Sequence, residues 1–211
     1  MAGRVITIAQ RKGGAGKTTL AAQLAIALAR QGAKLALLDI DPQASLAAWV
    51  ALRRARLGDS AIGFEFAALP GWRAEQWISE HARDADFVVV DGPAHIETEA
   101  RIAVRAAGLV LIPVQPSPLD LWASEATLAM ARDERRQVLA VLNRVVPRST
   151  VTERIAAELS RAGAPIAAAR IGNRIALVHA MTQGLGVLET APAGPAAAEI
   201  TALAAEIRGA S

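Results

Sequence analysis

Apolar and polar positions fall into two alternating textures along this chain. Short apolar runs occur at residues 5–9, 34–38, 87–90, 108–114 and 137–142. Runs of Val, Ile, Leu and Ala with no polar alternate belong to strands covered on both faces, and hence to a parallel sheet. Between them lie longer stretches rich in Ala, Leu and Arg, which predict helices over 20–30, 44–56, 71–83, 120–135, 151–161 and 195–208. Short strands are expected at 65–69 and 166–169, and a turn at Gly184 and Gly186. Strand and helix alternate throughout, with no linker-like segment. The expected architecture is therefore α/β: a single domain over residues 1–211 with a doubly wound, mostly parallel sheet and helices on both faces. Pro116 and Pro118 fix a stiff turn before the helix over 120–135, with Ser117 or Asp120 expected to cap it. Trp72 and Trp77 are expected to serve packing.

The first apolar run leads into Arg11-Lys12-Gly13-Gly14-Ala15-Gly16-Lys17-Thr18-Thr19 and then into a helix. Strand, glycine-rich turn and helix form the context of a phosphate-binding loop. Glycines let backbone N–H groups converge on an anion, and the following helix presents its positive end. Lys17 then reaches the β- and γ-phosphates, and the Thr18 hydroxyl sits on Mg²⁺. Two later strand ends carry carboxylates, in Asp39-Ile40-Asp41-Pro42-Gln43 and in Val90-Asp91-Gly92-Pro93. Ligands of parallel sheets gather at these carboxyl ends. Asp91 closes a buried strand in the Walker B manner, near Mg²⁺, and Gly92 and Pro93 open a loop able to sense the γ-phosphate. Asp39 or Asp41 can alternatively cap the helix that follows.

Composition narrows the chemistry. Of 211 residues, 53% are apolar but only 3% aromatic, so the core must be aliphatic. The absence of Cys excludes disulfides, thiol catalysis and cysteine-ligated metals. The formal net charge of +3 is unevenly spread: residues 132–174 hold nine Arg against four acids, whereas 175–211 hold one Arg against three Glu. No run of 18 uncharged apolar residues suggests a membrane span, and no leader pattern precedes the first strand, so a cytoplasmic protein is expected.

The phosphate loop departs from the common pattern in having Arg11 where Gly is usual and a second lysine, Lys12, before the double glycine. This K-G-G-x-G-K-T-T form resembles the ParA/MinD group of P-loop ATPases. With D-x-D-P-Q, the V-V-D-G strand end and P-S-P-L-D, the resemblance spans essentially the whole chain and is nearest to the short plasmid-partition ParA proteins (ParF-like). It implies ATP and Mg²⁺ as cofactors and an ATP-dependent homodimer in which Lys12 reaches the partner's phosphates. Gly13, Gly14, Ala15, Gly16, Lys17, Thr18 and Thr19 would bind the phosphates, while Asn143 and Arg144 lie beside the adenine. Thr18, Asp39 and Asp91 would organise the metal, directly or through water, and Asp41 would position the attacking water. Hydrolysis would be slow until a ParB-like, centromere-bound adaptor stimulates it. The ATP dimer would bind nucleoid DNA without sequence preference through phosphate contacts, with Arg148, Arg154, Arg161, Arg170 and Arg174 as candidates. Residues 170–174 are similar to an I-P-R-N-x-R stretch of chromosomal relatives, with Gly172 replacing the proline. The cargo expected from this resemblance is plasmid DNA, and no N-terminal helix-turn-helix extension is expected. Two other readings share the motif. A MinD-like membrane-cycling ATPase requires a basic amphipathic C-terminal helix, which residues 196–211, with one Arg and few bulky apolar groups, do not suggest; no membrane partner is expected. A metabolic ligase of the dethiobiotin-synthetase type shares the fold but has no need of Lys12.

Overall fold

The apolar runs become the strands of one sheet. The computed structural model describes residues 3–59, 62–94 and 97–209. Its six strands are β1 (Arg4–Ile8), β2 (Leu35–Asp39), β3 (Glu65–Ala68), β4 (Phe87–Asp91), β5 (Leu109–Val114) and β6 (Gln137–Leu142). They lie in the order β3-β2-β4-β1-β5-β6, and every neighbouring pair is parallel. Strands β2, β4 and β5 are buried at every position, which is why they read as continuous apolar runs.

Alternation along the strands assigns side chains to two faces. Ile6, Ile8, Leu37, Val89 and Leu111 pack on one side with α1 (Lys17–Arg30) and α9 (Pro195–Gly209). Across the sheet, Ala36, Leu38, Val88 and Val90 meet α3 (Ala74–His81) and α4 (Glu97–Ala106). Val110, Ile112, Val114 and Leu142 meet α5 (Pro118–Asp133) and α6 (Thr150–Arg161). In α1, Ala21, Ala22, Ala25 and Ala27 are fully buried, so the helix rests close against the sheet, as an aliphatic core poor in aromatics requires.

Several elements differ from expectation. No strand forms at 166–169; residues 166–172 make only isolated bridges, Ala140 with Ile166 and Val145 with Gly172, along the β6 edge. The span 71–83 is a 3₁₀ turn, Gly71–Arg73, followed by the shorter α3. Trp72 is 72% exposed instead of packed, whereas Trp77 stacks on His81 with ring centroids 3.8 Å apart. Helices α4, α7 (Ile175–Thr182) and α8 (Val187–Thr190) have no counterpart in the pattern. The α4 segment buries the small Ala103 beside Val104. The α7 segment, IALVHAMT, is apolar almost throughout and carries no helical period.

One buried cation ties α2 (Ser45–Leu57) to α8. Arg53 is 4% exposed and pairs through both terminal nitrogens with Glu189, each at 2.8 Å. Its Nε donates to Ile62 O at 2.8 Å and its Nη1 to Gly184 O at 3.3 Å. Gly184 has φ +67°, and a Cβ there would lie 2.4 Å from the Arg53 backbone nitrogen, so only glycine permits this approach.

Candidate functional site

The loop from β1 to α1 is shaped by glycines with positive φ, Gly14 at 75° and Gly16 at 96°. Gly16 precedes α1 and no side chain caps the helix, so the first-turn N–H groups are left to an anion. Lys17 is 7% exposed. Burial lowers its pKa from the ordinary lysine value, while Asp91 and Asp41 oppose that shift.

Strand register places both carboxylate-bearing ends beside this loop. Asp91 pairs with Ile8 on one side and with Asp39 on the other. The Thr18 hydroxyl donates to Asp91 Oδ2 at 2.7 Å, and Asp91 Oδ1, fully buried, has no partner among the described residues. Burial pushes the Asp91 carboxyl up to about 7; the Thr18 hydrogen bond and Lys17 oppose this, while Asp39 and Asp41 add to it. A buried oxygen left unsatisfied next to a hydroxyl fits a hard cation. No group of three or more His, Cys, Asp or Glu among the described residues could hold a metal alone. That suits Mg²⁺, which typically shares one or two protein oxygens with substrate phosphates and water.

The Asp39 carboxylate, expected to help organise the metal directly or through water, is held by backbone N–H groups. Its Oδ1 accepts the Asp41 N–H at 3.0 Å and its Oδ2 accepts the Ala47 N–H at 2.9 Å. Burial raises its pKa, countered mainly by those two N–H groups. Both oxygens are engaged in fixing the turn into α2, the capping alternative. Asp41, on that turn, accepts the Gln43 N–H at 2.9 Å and lines a cavity of about 610 Å³. The same cavity is lined by Gly13, Gly14, Gly16, Lys17, Thr18 and Thr19, and by Pro93, Arg144 and Met181. The loop opened by Gly92 and Pro93 continues at 95–96, outside the described residues.

Asn143 and Arg144, expected beside the adenine, follow β6, and the Asn143 amide is hydrogen-bonded within the chain. Its Nδ2 donates to Ala15 O at 2.8 Å and its Oδ1 accepts the Arg144 N–H at 3.0 Å. Asn143 thus braces the phosphate loop, and it also lines an adjoining cavity. This cavity, of about 440 Å³, is also lined by Gly16, Thr19, Arg144 and Arg174, and by Leu177, Val178 and Met181 of α7, a wall the sequence pattern missed.

Lys12 is held within its own chain. Its Nζ lies 2.5 Å from Asp120 Oδ2, which also accepts the Ser117 hydroxyl at 2.5 Å. Ser117 caps α5 as expected by accepting the Asp120 N–H at 3.2 Å, whereas Asp120, fully buried, anchors the early lysine. Gln115 adds a second tie, donating to Gly14 O at 2.7 Å.

Of the five arginines expected to meet DNA, three are engaged in ion pairs. Arg170 pairs with Glu153, Arg154 with Glu158 at 3.1 Å, and Arg174 with Glu199 at 2.6 Å beside the nucleotide-side cavity. Arg148 and Arg161 are exposed, make no ion pair among the described residues, and stand at opposite ends of α6.

Comparison with known proteins agrees with this geometry. Residues 6–187 match the model of the CobQ/CobB/MinD/ParA nucleotide binding domain. The chain is 30% identical over 202 residues to the maintenance of carboxysome distribution protein A of Halothiobacillus neapolitanus, covering 92% of this chain and 91% of that one. It is 28% identical to the chromosome-partitioning ATPase Soj of Thermus thermophilus, covering 97% and 95%. The septum site-determining protein MinD of Pyrococcus horikoshii, solved with Mg-ADP, superposes with a TM-score of 0.82 at 21% identity, covering 98% of this chain and 96% of that one.

Proposed function

The chain belongs to the CobQ/CobB/MinD/ParA nucleotide-binding domain family, with the ParA/MinD-type ATPases, and on that footing we propose that it is an ATP-hydrolysing positioning protein. In this reading it dimerises around ATP, holds DNA without sequence preference and distributes a macromolecular cargo through an adaptor. The observation that carries the proposal is the cavity of about 610 Å³ lined by both the phosphate loop and Asp41.

Phosphoryl transfer is mostly positioning and charge stabilisation. The first-turn amides of α1 and the buried Lys17 ammonium would take the β- and γ-phosphates. Thr18 and Asp91 would hold Mg²⁺, which supplies charge neutralisation on the phosphate oxygens. Asp41, fixed by its turn and by Asp39 behind it, would accept a hydrogen bond from the attacking water and aim it. The adjoining cavity beside α7 would take the nucleoside. Lys12 would complete the charge clamp on a second copy's nucleotide, which requires release from Asp120; an adaptor that favours release would accelerate turnover. Relatives named for carboxysome distribution and for chromosome partitioning support cargo positioning in general and do not single out the plasmid expected from the motif. No helix among the described residues is long and apolar enough to cross a membrane.

The test is Asp41→Ala beside Lys17→Ala. Asp41→Ala should bind ATP and accumulate as a dimer in light scattering, while turnover falls by about 100-fold, the scale of lost positioning. Lys17→Ala should lose ATP binding in calorimetry. Undiminished turnover in the first variant, or wild-type ATP affinity in the second, refutes this mechanism.

A further inference from the structure

Beyond Arg144, the β6–α6 connection folds a second cationic recess. This cavity, of about 410 Å³, is lined in part by Pro147, Arg148, Ser149, Thr150, Thr152 and Arg170. Its wall includes the first turn of the twelve-residue helix α6, where the Ser149 hydroxyl caps the Thr152 N–H at the positive helix end. A helix end alone says little, but Thr152 adds an independent observation. It is 1% exposed, lines the recess, and its hydroxyl has no partner among the described residues. Helical threonines commonly return such a hydroxyl to the carbonyl four residues back. Here that bond is not made, and a buried donor is left for something else.

The surrounding charges agree in sign. Arg148 is exposed, has no ion pair among the described residues, and is held at φ +59°, an unfavourable conformation for a non-glycine residue. Arg170 reaches the recess from the segment beside β6 and is occupied by Glu153, the one acid in the lining. Both partners of that pair are substantially exposed, 43% and 63%, so an incoming anion can displace Glu153 readily. The connection is also tied to the nucleotide site. Asn143 holds Ala15 O, Arg144 lines the nucleotide cavity, and Val145 is pinned by exchange with Ile171 and Asn173.

We propose that this recess seats one backbone phosphate of duplex DNA in each protomer. The proposal rests on the DNA-binding reading above, and it narrows the five candidate arginines to Arg148 and Arg170. A phosphodiester carries a single negative charge, matching two arginines offset by one glutamate. The seat contacts no base edge, so it positions DNA without reading it.

The experiment measures binding of a random-sequence duplex by fluorescence anisotropy with Mg-ATP over a salt series. Wild type, Arg148→Ala, Thr152→Val and Glu153→Gln are compared at equal dimer fraction. Arg148→Ala should weaken binding and make the salt slope shallower by about one for each protomer engaged. Thr152→Val should weaken binding without lowering the melting temperature, because the lost hydroxyl makes no bond within the protein. Glu153→Gln should tighten binding and steepen the slope by freeing Arg170. Opposite signs from substitutions in one recess cannot come from damaged folding. A second arm titrates inorganic phosphate against bound duplex at constant ionic strength, and competition in wild type that is lost in Arg148→Ala supports the seat. If wild type binds DNA and all three variants bind alike, the seat is wrong while the DNA reading stands. Phosphate that raises the wild-type melting temperature while DNA affinity ignores all three substitutions makes the recess a free-phosphate site and overturns the proposal. A wild type that ignores duplex DNA at every salt concentration with ATP bound removes the DNA reading, and the seat with it.

Discussion

Replacing Arg53 by Met tests how α2, whose first turn is fixed by Asp39 behind Asp41, is held to the rest of the domain. The Arg53 side chain is 5% exposed and the Glu189 side chain 18% exposed. Removing the guanidinium leaves Glu189 with only the Gly186 N–H, at 2.7 Å, and strips Ile62 O and Gly184 O of their shared donor. Breaking a buried pair from one side costs about 3–5 kcal/mol, and the residual exposure of Glu189 places this case at the lower end, about 3 kcal/mol. A domain of this size loses roughly 2–4 °C per kcal/mol, so melting should fall by about 6–12 °C at pH 7. Circular dichroism on heating measures it, with Arg53→Met/Glu189→Leu as the companion; removing both charges should recover most of the loss. The effect has a defined pH dependence. Desolvation pushes the Glu189 carboxyl up, but the hydrogen bonds from Arg53 and Gly186 and the charges of Arg53 and Arg30 outweigh it, leaving the pKa below its ordinary value. A depressed carboxylate contributes stability above its unfolded pKa and loses it as pH falls through the folded one. The gap between wild type and Arg53→Met should therefore close below about pH 4. A melting temperature within about 2 °C of wild type at pH 7 would refute the reasoning, since even the lowest ratio applied to 3 kcal/mol exceeds it.

Two further outcomes are expected. Asp120→Asn weakens the hold on Lys12 in its own chain, so the ATP-bound dimer should form at a roughly tenfold lower protein concentration in sedimentation, a charge-assisted bond having become a neutral one in each protomer; an unchanged or weaker dimer counts against competition between Asp120 and a second copy. Gly16→Ala forces a Cβ to within 2.4 Å of Asn143 Nδ2 at φ +96°, and should cost about 1–3 kcal/mol of stability and lower ATP affinity, as calorimetry reads it. Adding Asn143→Ala removes the clash but not the backbone strain, so wild-type affinity in the double variant would show that the strained φ is unimportant.

Much of this site is legible in the sequence because its chemistry is local. A strand ending at Ile8, then three glycines and two lysines before Thr18, dictate a phosphate cradle by local chemistry, and the apolar runs that end in Asp39 and Asp91 dictate where carboxylates emerge. Those features depend on neighbours in the chain, and they determined the family, the parallel sheet and the position of Thr18. What the tertiary structure decided depends on pairings between distant residues. Asp39 and Asp91 read alike, yet register gives one an unpartnered oxygen beside Thr18 and gives the other two N–H groups of its own turn. Asn143 lies 128 residues from the carbonyl it braces, and Asp120 lies 108 residues from the lysine it holds. Five arginines stood as candidates for DNA, but Glu153, Glu158 and Glu199 each claim one of them, and such claims follow from folding geometry. The α7 wall of the nucleotide-side cavity escaped notice because a nearly uniformly apolar segment has no period to read. Sequence determines chemistry where neighbouring residues suffice to build it; where a side chain's partner comes from another strand or helix, only the packed structure decides which of its possible bonds is made.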